Sequence, residues 1–334
     1  MSKICTIGKG FQVTEAARHP VNWLPPGKKA AVCLSIDDIH PGRSSDYYEA
    51  GGDLGDGVLG HLKWLLDRHQ QLHATLFTTA DWREIHPRPT RKVLAAIPGV
   101  RDHFYLAKIR PAGTMRLDRH REFVDYITSL SRTEIGLHGL YHCHKGLKIP
   151  MEFQEQDCEE FTAILKEVIS IFGQAGIEYV PGICPPGWNS PPALLDAMVN
   201  VGLKFIGSAR DLATPVSGDA QTDMHGMNGV SLIYPEWIHN GRLVHLTSNF
   251  SCTNTLDRAF EIIDAGGLLS IKAHAIKRVF DYVADDGLDL GYRNFLDMLL
   301  TVLEDKYGDA LFWTSMGEIV DRAFENHTDR TEEI

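Results

Sequence analysis

No stretch of this 334-residue chain stays apolar over the roughly 18 residues that a membrane-spanning helix requires. The first twenty residues, MSKICTIGKGFQVTEAARHP, also lack the long apolar run that follows a basic start in a secretory signal. These two absences predict a protein without a membrane span that works in the cytoplasm.

Cysteine is sparse, and basic residues are outnumbered. The six cysteines are scattered without a CxxC pair, so neither a disulfide framework nor a zinc ribbon is indicated, and reduced thiols are expected. The 44 acidic residues against 33 basic ones give a net charge of −11, which would repel a phosphate backbone. We therefore expect no nucleic-acid partner.

Linkers rich in Pro, Gly or Ser, internal repeats and low-complexity tracts are missing as well. A single domain is therefore expected over residues 30–330, preceded by an extended N-terminal arm over residues 1–29. A long excursion is expected at residues 218–241, with a hairpin in the stretch YPEWIHNGRLVHL.

What the chain does contain is a regular alternation of two patterns. Short apolar, β-branched runs alternate with segments whose apolar residues recur every three or four positions. This alternation is typical of parallel strands with crossover helices, and seven or eight such units favour a (β/α) barrel over an open sheet. The predicted strands are residues 30–36, 73–79, 134–137, 179–184, 204–207, 243–248, 268–273 and 311–314.

Polar residues follow four of these strands. In parallel barrels, functional residues gather at the C-terminal ends of the strands. The four strand ends run into the stretches SIDDIH, HGLYHCH, CPPGWN and SIKAH. Acids, imidazoles, an aromatic residue and a Pro-Pro-Gly turn are therefore expected to converge on one rim.

His138 and His142 have an HxxxH spacing. In an extended strand they would lie about 13 Å apart, too far to share an ion. Curled into a helical turn they come within about 6 Å, close enough for both to bind one ion at about 2.1 Å, and Gly139 favours the curl. For this motif alone, two histidines that cap a helix or lie at the surface remain an alternative.

Asp37 and Asp38 stand side by side at the end of the first strand. Successive strand residues point to opposite faces, so both can face the rim only if the chain leaves the strand there, as Pro41 and Gly42 predict. A turn or helix cap is the alternative reading of an Asp pair. One carboxylate with two neutral imidazoles would form a ligand set with open positions, typical of a catalytic metal, and the other carboxylate could accept a proton from water.

In this order and at these strand ends, SIDDIH, HGLYH, CPPGWN and LLSIKAH resemble the motifs of the NodB-type polysaccharide deacetylases. The resemblance covers most of the chain and implies an α/β fold, the distorted (β/α)7-8 barrel of that family. It implies a divalent metal, commonly zinc, bound by Asp38, His138 and His142. It further implies Asp37 as the general base and His274 as the general acid.

The same resemblance concerns the turn CPPGWN. In the family this turn lines the acyl pocket, which implies substrate contacts from Trp188 and an oxyanion-holding amide near Gly187 or Trp188. Asn189 would contact substrate or begin the next helix, and His40 would touch substrate or metal or cap its own loop. Trp188 and Trp237 could stack on a sugar ring, although core packing is favoured for Trp237.

The chain departs from the family pattern at two positions. The arginine that precedes the Pro-Pro pair and orients the catalytic aspartate is Cys184 here, and the glycine after the Asp pair is Ile39. Ser270, Lys272 and His274 alternate onto one face of the late strand, so Lys272 could also take the position assigned to His274. Our hypothesis is that Lys272 replaces the missing arginine as a positive partner.

The resemblance implies hydrolysis of an N-acetyl group on an amino sugar. Without an export signal, we expect an N-acetylated sugar, a nucleotide sugar or a glycolipid precursor as substrate, in surface-polysaccharide or O-antigen assembly. Two alternatives stay open: a cyclic amide or imide hydrolase on the same scaffold, and a catalytically degenerate sugar-binding module, which the lost arginine suggests. Association into a homo-oligomer is also left open.

Overall fold

The computed structural model describes residues 4–6, 12–14, 22–44, 46–86, 91–95, 97, 104–105, 107–145, 151–210, 226–279 and 282–328. The strands within these residues are β1 (Ile4–Thr6), β2 (Gln12–Thr14), β3 (Ala30–Ile39), β4 (Tyr48–Glu49), β5 (Ala74–Thr78), β6 (Thr133–Leu137), β7 (Gly182–Ile183), β8 (Phe205–Arg210), β9 (Glu236–Ile238), β10 (Leu243–Ser248), β11 (Leu268–His274), β12 (Ile276–Val279), β13 (Tyr282–Val283) and β14 (Leu311–Trp313). The α-helices are α1 (Gly57–Arg68), α2 (Lys92–Ala95), α3 (Arg121–Ser129), α4 (Cys158–Ala175), α5 (Pro192–Asn200), α6 (Leu256–Asp264), α7 (Leu290–Tyr307) and α8 (Met316–Thr328). None of the helices in the described part of the chain combines the length and the apolar character that crossing a bilayer requires.

The central sheet has the order β11-β3-β5-β6-β7-β8-β10-β9, and β14 also pairs with β3. Every pairing in it is parallel except that of β9 with β10. All eight strands predicted from the sequence belong to this sheet, and β9 with β10 forms the predicted hairpin. The α/β class with a parallel sheet and crossover helices is therefore confirmed.

Residues at the two sides of this sheet come into contact, but the strand pairing among the described residues does not form a closed barrel. A parallel bridge between Phe250 and Ile271 links the residues after β10 to β11. The side chain of Asn249 completes this junction: its Nδ2 donates to the Leu268 carbonyl at 2.8 Å, and its Oδ1 accepts from the Ser270 N–H at 2.9 Å. The buried Asn249 side chain therefore forms hydrogen bonds with β11 of the kind that backbone groups form between paired strands.

Strand β3 pairs with β11, β5 and β14 and is buried on both faces. Its even-numbered residues from 30 to 36 pack in one apolar cluster with residues of α1, α3, α4 and α7. Ala31 and Cys33 pack in a second cluster, which includes Met316 and Ile319 of α8. Since side chains alternate along a strand, Asp37 continues this second series and ends it with a charge.

Aromatic residues hold the expected N-terminal arm and β9 against α8. Trp23 is buried, and its carbonyl accepts a hydrogen bond from Arg322 Nε at 3.2 Å. Trp237 of β9 packs edge to face on Phe324, with the ring centroids 4.8 Å apart, as the core-packing interpretation expects. Within residues 1–29, β1 and β2 pair antiparallel, and the boundary of the arm stays a prediction.

Residues 275–286 leave the central sheet directly after β11, and we call them the 275–286 excursion. They contain β12 and β13, and β12 pairs antiparallel with both β13 and β4. At its far end, the His274 N–H donates to the Asp286 carbonyl at 2.9 Å, and the Leu288 N–H donates to the His274 carbonyl at 3.0 Å. The excursion therefore begins and ends at the same residue, His274.

Candidate metal and catalytic site

A bulge in β3 turns both acidic side chains toward one site. The register of β3 against β5 shifts between Ile36 and Ile39, and Asp38 has a φ of 62°. The strand continues through Ile39, so the break predicted at Pro41 is not what brings the carboxylates together. A left-handed residue in mid-strand moves the second side chain to the face of the first, and such strain is typical of functional sites.

A bend after β6 brings the two histidines together. Gly139 has a φ of 79° and His142 a φ of 62°, and the segment is an irregular bend rather than the predicted helical turn. The ring centroids of His138 and His142 lie 5.2 Å apart. Gly139 is required here because a Cβ on it would lie 2.1 Å from Glu152 Oε2, and Glu152 holds the bend by accepting the Leu140 N–H at 2.7 Å.

Asp38, His138 and His142 form one compact group. Asp38 Oδ1 lies 2.9 Å from the Nε2 atoms of both histidines, and all three ligand atoms lie within 4.8 Å of one another. Two ligands at about 2.1 Å from one ion, at right angles, would be about 3.0 Å apart. One carboxylate and two imidazoles at this spacing therefore fit a divalent ion.

The second nitrogen of each histidine is fixed by a hydrogen bond. His138 Nδ1 donates to the carbonyl of Cys184, and His142 Nδ1 donates to Glu84 Oε2 at 2.7 Å. Glu84 is held in turn by the Tyr48 hydroxyl at 2.8 Å. These contacts direct both Nε2 atoms toward Asp38, which is how outer groups usually orient metal-binding histidines.

Sequence reasoning missed Glu84. It lies in the stretch TADWRE that follows β5, a predicted strand whose end was not considered together with the other four.

The two histidines have opposite pKa shifts. Burial lowers the pKa of His138, and the pull of Asp38 does not restore it. For His142, burial is outweighed by Asp38 and Glu84, which raise its pKa to about 9. Since imidazole must be neutral to bind a metal, an ion that binds here near neutral pH displaces a proton from His142.

Asp37 lies beside this group, and only one of its two carboxylate oxygens has a partner among the described residues. Its Oδ2 contacts the Lys272 ammonium and accepts from Cys184 Sγ at 3.0 Å. Its Oδ1 is buried and has no hydrogen-bond partner among the described residues. Burial by itself would raise the pKa of Asp37, but Lys272, His138 and His274 outweigh it, so the pKa lies below its ordinary value and the group is ionised.

A second group of potential ligands, Asp37, His138 and Cys184, also lies within 4.8 Å. The Lys272 ammonium already lies in this group, in contact with Asp37 and 3.6 Å from Cys184 Sγ. Burial and the Asp37 charge both raise the pKa of the Cys184 thiol well above its usual value. A protonated thiol beside a fixed ammonium makes this a poor cation site, so Asp38, His138 and His142 are the better ligand set.

His274 lies on the other side of Asp37. Its Nε2 is 3.9 Å from Asp37 Oδ2, and its Nδ1 is 2.9 Å from Asp286 Oδ2. Burial would raise the pKa of Asp286, but His274 and Lys277 outweigh it and keep the carboxylate ionised. Asp286 pairs with the imidazole from within the 275–286 excursion, and no spacing in the sequence pointed to it.

The CPPGWN turn lies next to His274. The Trp188 ring meets the His274 ring edge to face, with the centroids 5.7 Å apart. Gly187 has a φ of 64°, and a Cβ on it would lie 1.9 Å from Met151 Sδ, so only glycine fits. The Trp188 N–H donates to the Pro185 carbonyl at 2.8 Å, which commits that amide to the turn.

Two further predicted residues are engaged in loop contacts. Asn189 Nδ2 donates to the Phe153 carbonyl. His40 Nδ1 accepts the Gly42 N–H at 2.9 Å, and its ring stacks on Trp82 at 4.2 Å, so it caps its own loop. Burial, followed by the charge of Arg110, holds the pKa of His40 well below its usual value.

Lys277 is a site residue that the sequence did not suggest. It belongs to β12, and its Nζ lies 2.7 Å from Asp38 Oδ2. Its side chain is 23% exposed, whereas that of Lys272 is 5% exposed. The site therefore contains two lysines, each paired with one of the two neighbouring aspartates.

Comparison with known proteins bears on the fold. No protein-family model and no curated protein sequence matches the chain. Among solved structures, it is similar to a protein of Mycobacterium smegmatis assigned as a polysaccharide deacetylase, with 15% identity, a TM-score of 0.50, and coverage of 91% of this chain and 93% of that one. It is also similar to PuuE allantoinase, with 13% identity, a TM-score of 0.52 and the same coverage of both chains.

These similarities place the chain in a class of α/β fold with a mostly parallel central sheet. The chain has the NodB-like fold of the polysaccharide deacetylases, as its motifs predict.

Proposed function

We propose that this chain hydrolyses the N-acetyl group of an amino sugar in a reaction that depends on a divalent metal. One observation carries the proposal. A carboxylate–dihistidine group, an ionised aspartate with an unengaged oxygen, and a carboxylate-supported histidine occur within one buried site. Amide hydrolysis needs these three components: an electrophile, a base and an acid for the leaving amine.

The ion would be held by Asp38, His138 and His142, and we propose zinc because one oxygen and two imidazole nitrogens suit it. When bound, it would supply Lewis acidity that polarises the acyl carbonyl and acidifies water. The hydrogen bonds to Cys184 and Glu84 fix the two rings in advance, so binding requires little reorganisation.

Asp37 is the proposed general base. Lys272 occupies its Oδ2 and stabilises the ionised form, while Oδ1 remains available to accept a proton from the attacking water. Because Asp37 is buried, this oxygen would accept its proton from a water molecule held in the site rather than from bulk solvent.

His274 is the proposed general acid. Its Nδ1 lies 2.9 Å from Asp286 Oδ2, and its Nε2 lies 3.9 Å from Asp37 Oδ2. A proton on Nε2 would be given to the departing amine, without which an amide cleaves slowly. The register of β11 against β3 pairs His274 with Asp37, so acid and base lie on neighbouring strands.

The CPPGWN turn would bind the acyl group. With the Trp188 amide committed to Pro185, Gly187 is our candidate for the amide that stabilises the oxyanion. Trp188 would line the acyl pocket beside His274. Because Asn189 donates to the Phe153 carbonyl, it would either support the loop that binds substrate or give up this hydrogen bond and contact substrate directly.

Lys272 bears on the alternative of a degenerate sugar-binding module. That alternative arose because Cys184 stands where the family has its arginine. The contact between Lys272 and Asp37 gives the base a positive partner from another strand, which supports an active site over a degenerate one.

We propose an N-acetylated sugar, a nucleotide sugar or a glycolipid precursor as substrate, with zinc as the ion, in cytoplasmic surface-polysaccharide assembly. A cyclic amide is the second candidate, since PuuE allantoinase shares the fold. Ring opening of a cyclic amide releases no acetate, so the two reactions give different products.

The test combines substrates and variants. Metal-reconstituted protein is incubated with N-acetylated sugars, nucleotide sugars, glycolipids and allantoin, and acetate release and ring opening are measured. Asp37→Asn should abolish acetate release while bound zinc is unchanged. Asp67→Asn, which removes a surface carboxylate that is 64% exposed, is the matched control and should leave turnover intact.

Each result has a defined meaning. Ring opening without acetate release would favour the cyclic-amide reaction. Full activity of Asp37→Asn would remove the base assignment, and zinc-loaded protein that binds sugars without any turnover would support the binding module.

A further inference from the structure

Lys277 is fixed in place by its backbone. In register, Lys277 of β12 faces Tyr48 of β4, and its carbonyl accepts the Ala284 N–H at 2.9 Å. The next residue, Arg278, donates its N–H to the Tyr47 carbonyl at 2.7 Å. The lysine therefore approaches the site from a three-stranded sheet rather than from an unsupported loop.

The Lys277 ammonium binds one oxygen of a carboxylate whose other oxygen meets the two histidines. Its Nζ is 2.7 Å from Asp38 Oδ2, while Asp38 Oδ1 is 2.9 Å from the Nε2 atoms of His138 and His142. A lysine side chain is protonated near neutral pH, so Lys277 is a charged partner of Asp38. A single carboxylate thus lies between a permanent cation and the proposed metal position.

Asp38 is the only charged ligand in the proposed set. When both histidines are neutral, as metal binding requires, the negative charge of Asp38 is balanced by Lys277. A divalent ion at this position would therefore meet a ligand set with no net charge, and it would share its one carboxylate with an ammonium group.

We propose that Lys277 lowers the affinity of this site for its divalent ion and so keeps the ion exchangeable. The inference rests on the proposed function only in taking Asp38, His138 and His142 as ligands. Like charges that share one buried carboxylate repel strongly, so removal of the lysine charge should tighten metal binding by about tenfold or more. Lys272 pairs instead with Asp37, which is outside the ligand set.

The experiment measures zinc affinity without substrate. Zinc is titrated into chelator-stripped full-length protein by calorimetry at pH 7.5, with a competing chelator for tight binding. Lys277→Met and Lys277→Gln remove the charge, and Lys277→Arg retains it. Arg278→Met is the matched control, because it removes an exposed charge from the same strand as Lys277, one that pairs with Glu49 of β4.

We expect Lys277→Met and Lys277→Gln to bind zinc at least about tenfold more tightly than wild type, while Lys277→Arg and Arg278→Met stay within about threefold. Zinc binding detected only in the uncharged variants would also support the proposal. Equal or weaker binding by both uncharged variants, or no binding by any form, would overturn it.

The readout is independent of catalysis. A chain that releases no acetate from any substrate would fail the proposed deacetylase function, while the order of zinc affinities would still decide the role of Lys277. Thermal unfolding of the metal-free variants identifies any that do not fold, and the remaining uncharged variant then decides.

Discussion

Lys272 and Asp37 form a buried ion pair between two adjacent strands, β11 and β3. The same strand, β11, carries His274 two residues later, directly opposite Asp37 in register. One strand therefore supplies both the cation that stabilises the proposed base and the imidazole of the proposed acid. Cys184, at the position of the expected arginine, contacts both members of the pair.

Removal of the Lys272 charge should weaken the base. In Lys272→Met the pKa of Asp37 rises, because burial is then opposed by fewer positive charges, so the acidic limb of the pH–rate profile moves to higher pH. We expect a loss of at least tenfold in kcat, with zinc content unchanged, measured by acetate release across pH. Lys272→Arg should recover part of the activity, and an unaltered pH profile in Lys272→Met would contradict this role.

Glu84 should matter for metal binding through His142. Glu84→Gln keeps the size of the side chain but removes the charge that orients the ring and makes it more basic. We expect zinc affinity to fall by about 10- to 100-fold, measured by calorimetry. Glu122→Gln on the surface of α3 is the control, and equal zinc affinity in Glu84→Gln and wild type would show that the contact does not support the site.

His245 predicts acid sensitivity of the fold away from the site. It is fully buried in β10, neither ring nitrogen has a hydrogen-bond partner in the described part of the chain, and burial lowers its pKa to about 3. Since the unfolded chain takes up a proton below about pH 6.5 and the folded chain does not, this stabilisation is present above pH 6.5 and lost as pH falls toward 3.

His245→Leu should remove this dependence. Between pH 7 and pH 5, the free energy of unfolding of wild type should fall by about 2 kcal/mol relative to the variant. Urea unfolding at both pH values measures the difference. Parallel pH dependence of the two proteins would rule out a neutral buried histidine.

Asn249 should be the most sensitive point of the sheet seam. Its side chain donates to the carbonyls of Leu232 and Leu268 and accepts from Ser270, so Asn249→Ala leaves three backbone groups unsatisfied. We expect a loss of about 2–4 kcal/mol of stability in urea unfolding. Asn200→Ala, at the end of α5, should cost far less, and similar losses in the two variants would contradict the proposed closure.

The fold could be predicted because its strands are short apolar runs with strong periodicity, and because their motifs have a family order. The convergence of Asp37 with His274 followed from the rule that the C-terminal ends of parallel strands meet at one rim. The bulge at Asp38 could not be predicted from the sequence, because the residue types around Asp38 do not show that it has a positive φ. The break at Pro41 was therefore given a role that the bulge performs.

The residues that sequence reasoning missed share a physical cause. Glu84, Asp286 and Lys277 act through contacts that depend on how loops return to the site, and none shows a spacing tied to its partner. For Asn189 and His40, a position beside a motif suggested contact with substrate. In the structure, both side chains form hydrogen bonds with backbone groups instead. A position beside a motif therefore predicts that a residue lies near the rim, but it does not predict which hydrogen bonds that residue forms.

The 275–286 excursion departs from β11 and rejoins it at His274. Residues can therefore be added to it or removed from it without a shift in the pairing of β11 with β3. It also carries Lys277, which contacts the proposed ligand Asp38, and Asp286, which pairs with the His274 imidazole. Replacement of this one segment would therefore change the contact with the proposed metal ligand Asp38 and the contact with the proposed acid His274 together, while the pairing of the strands is kept.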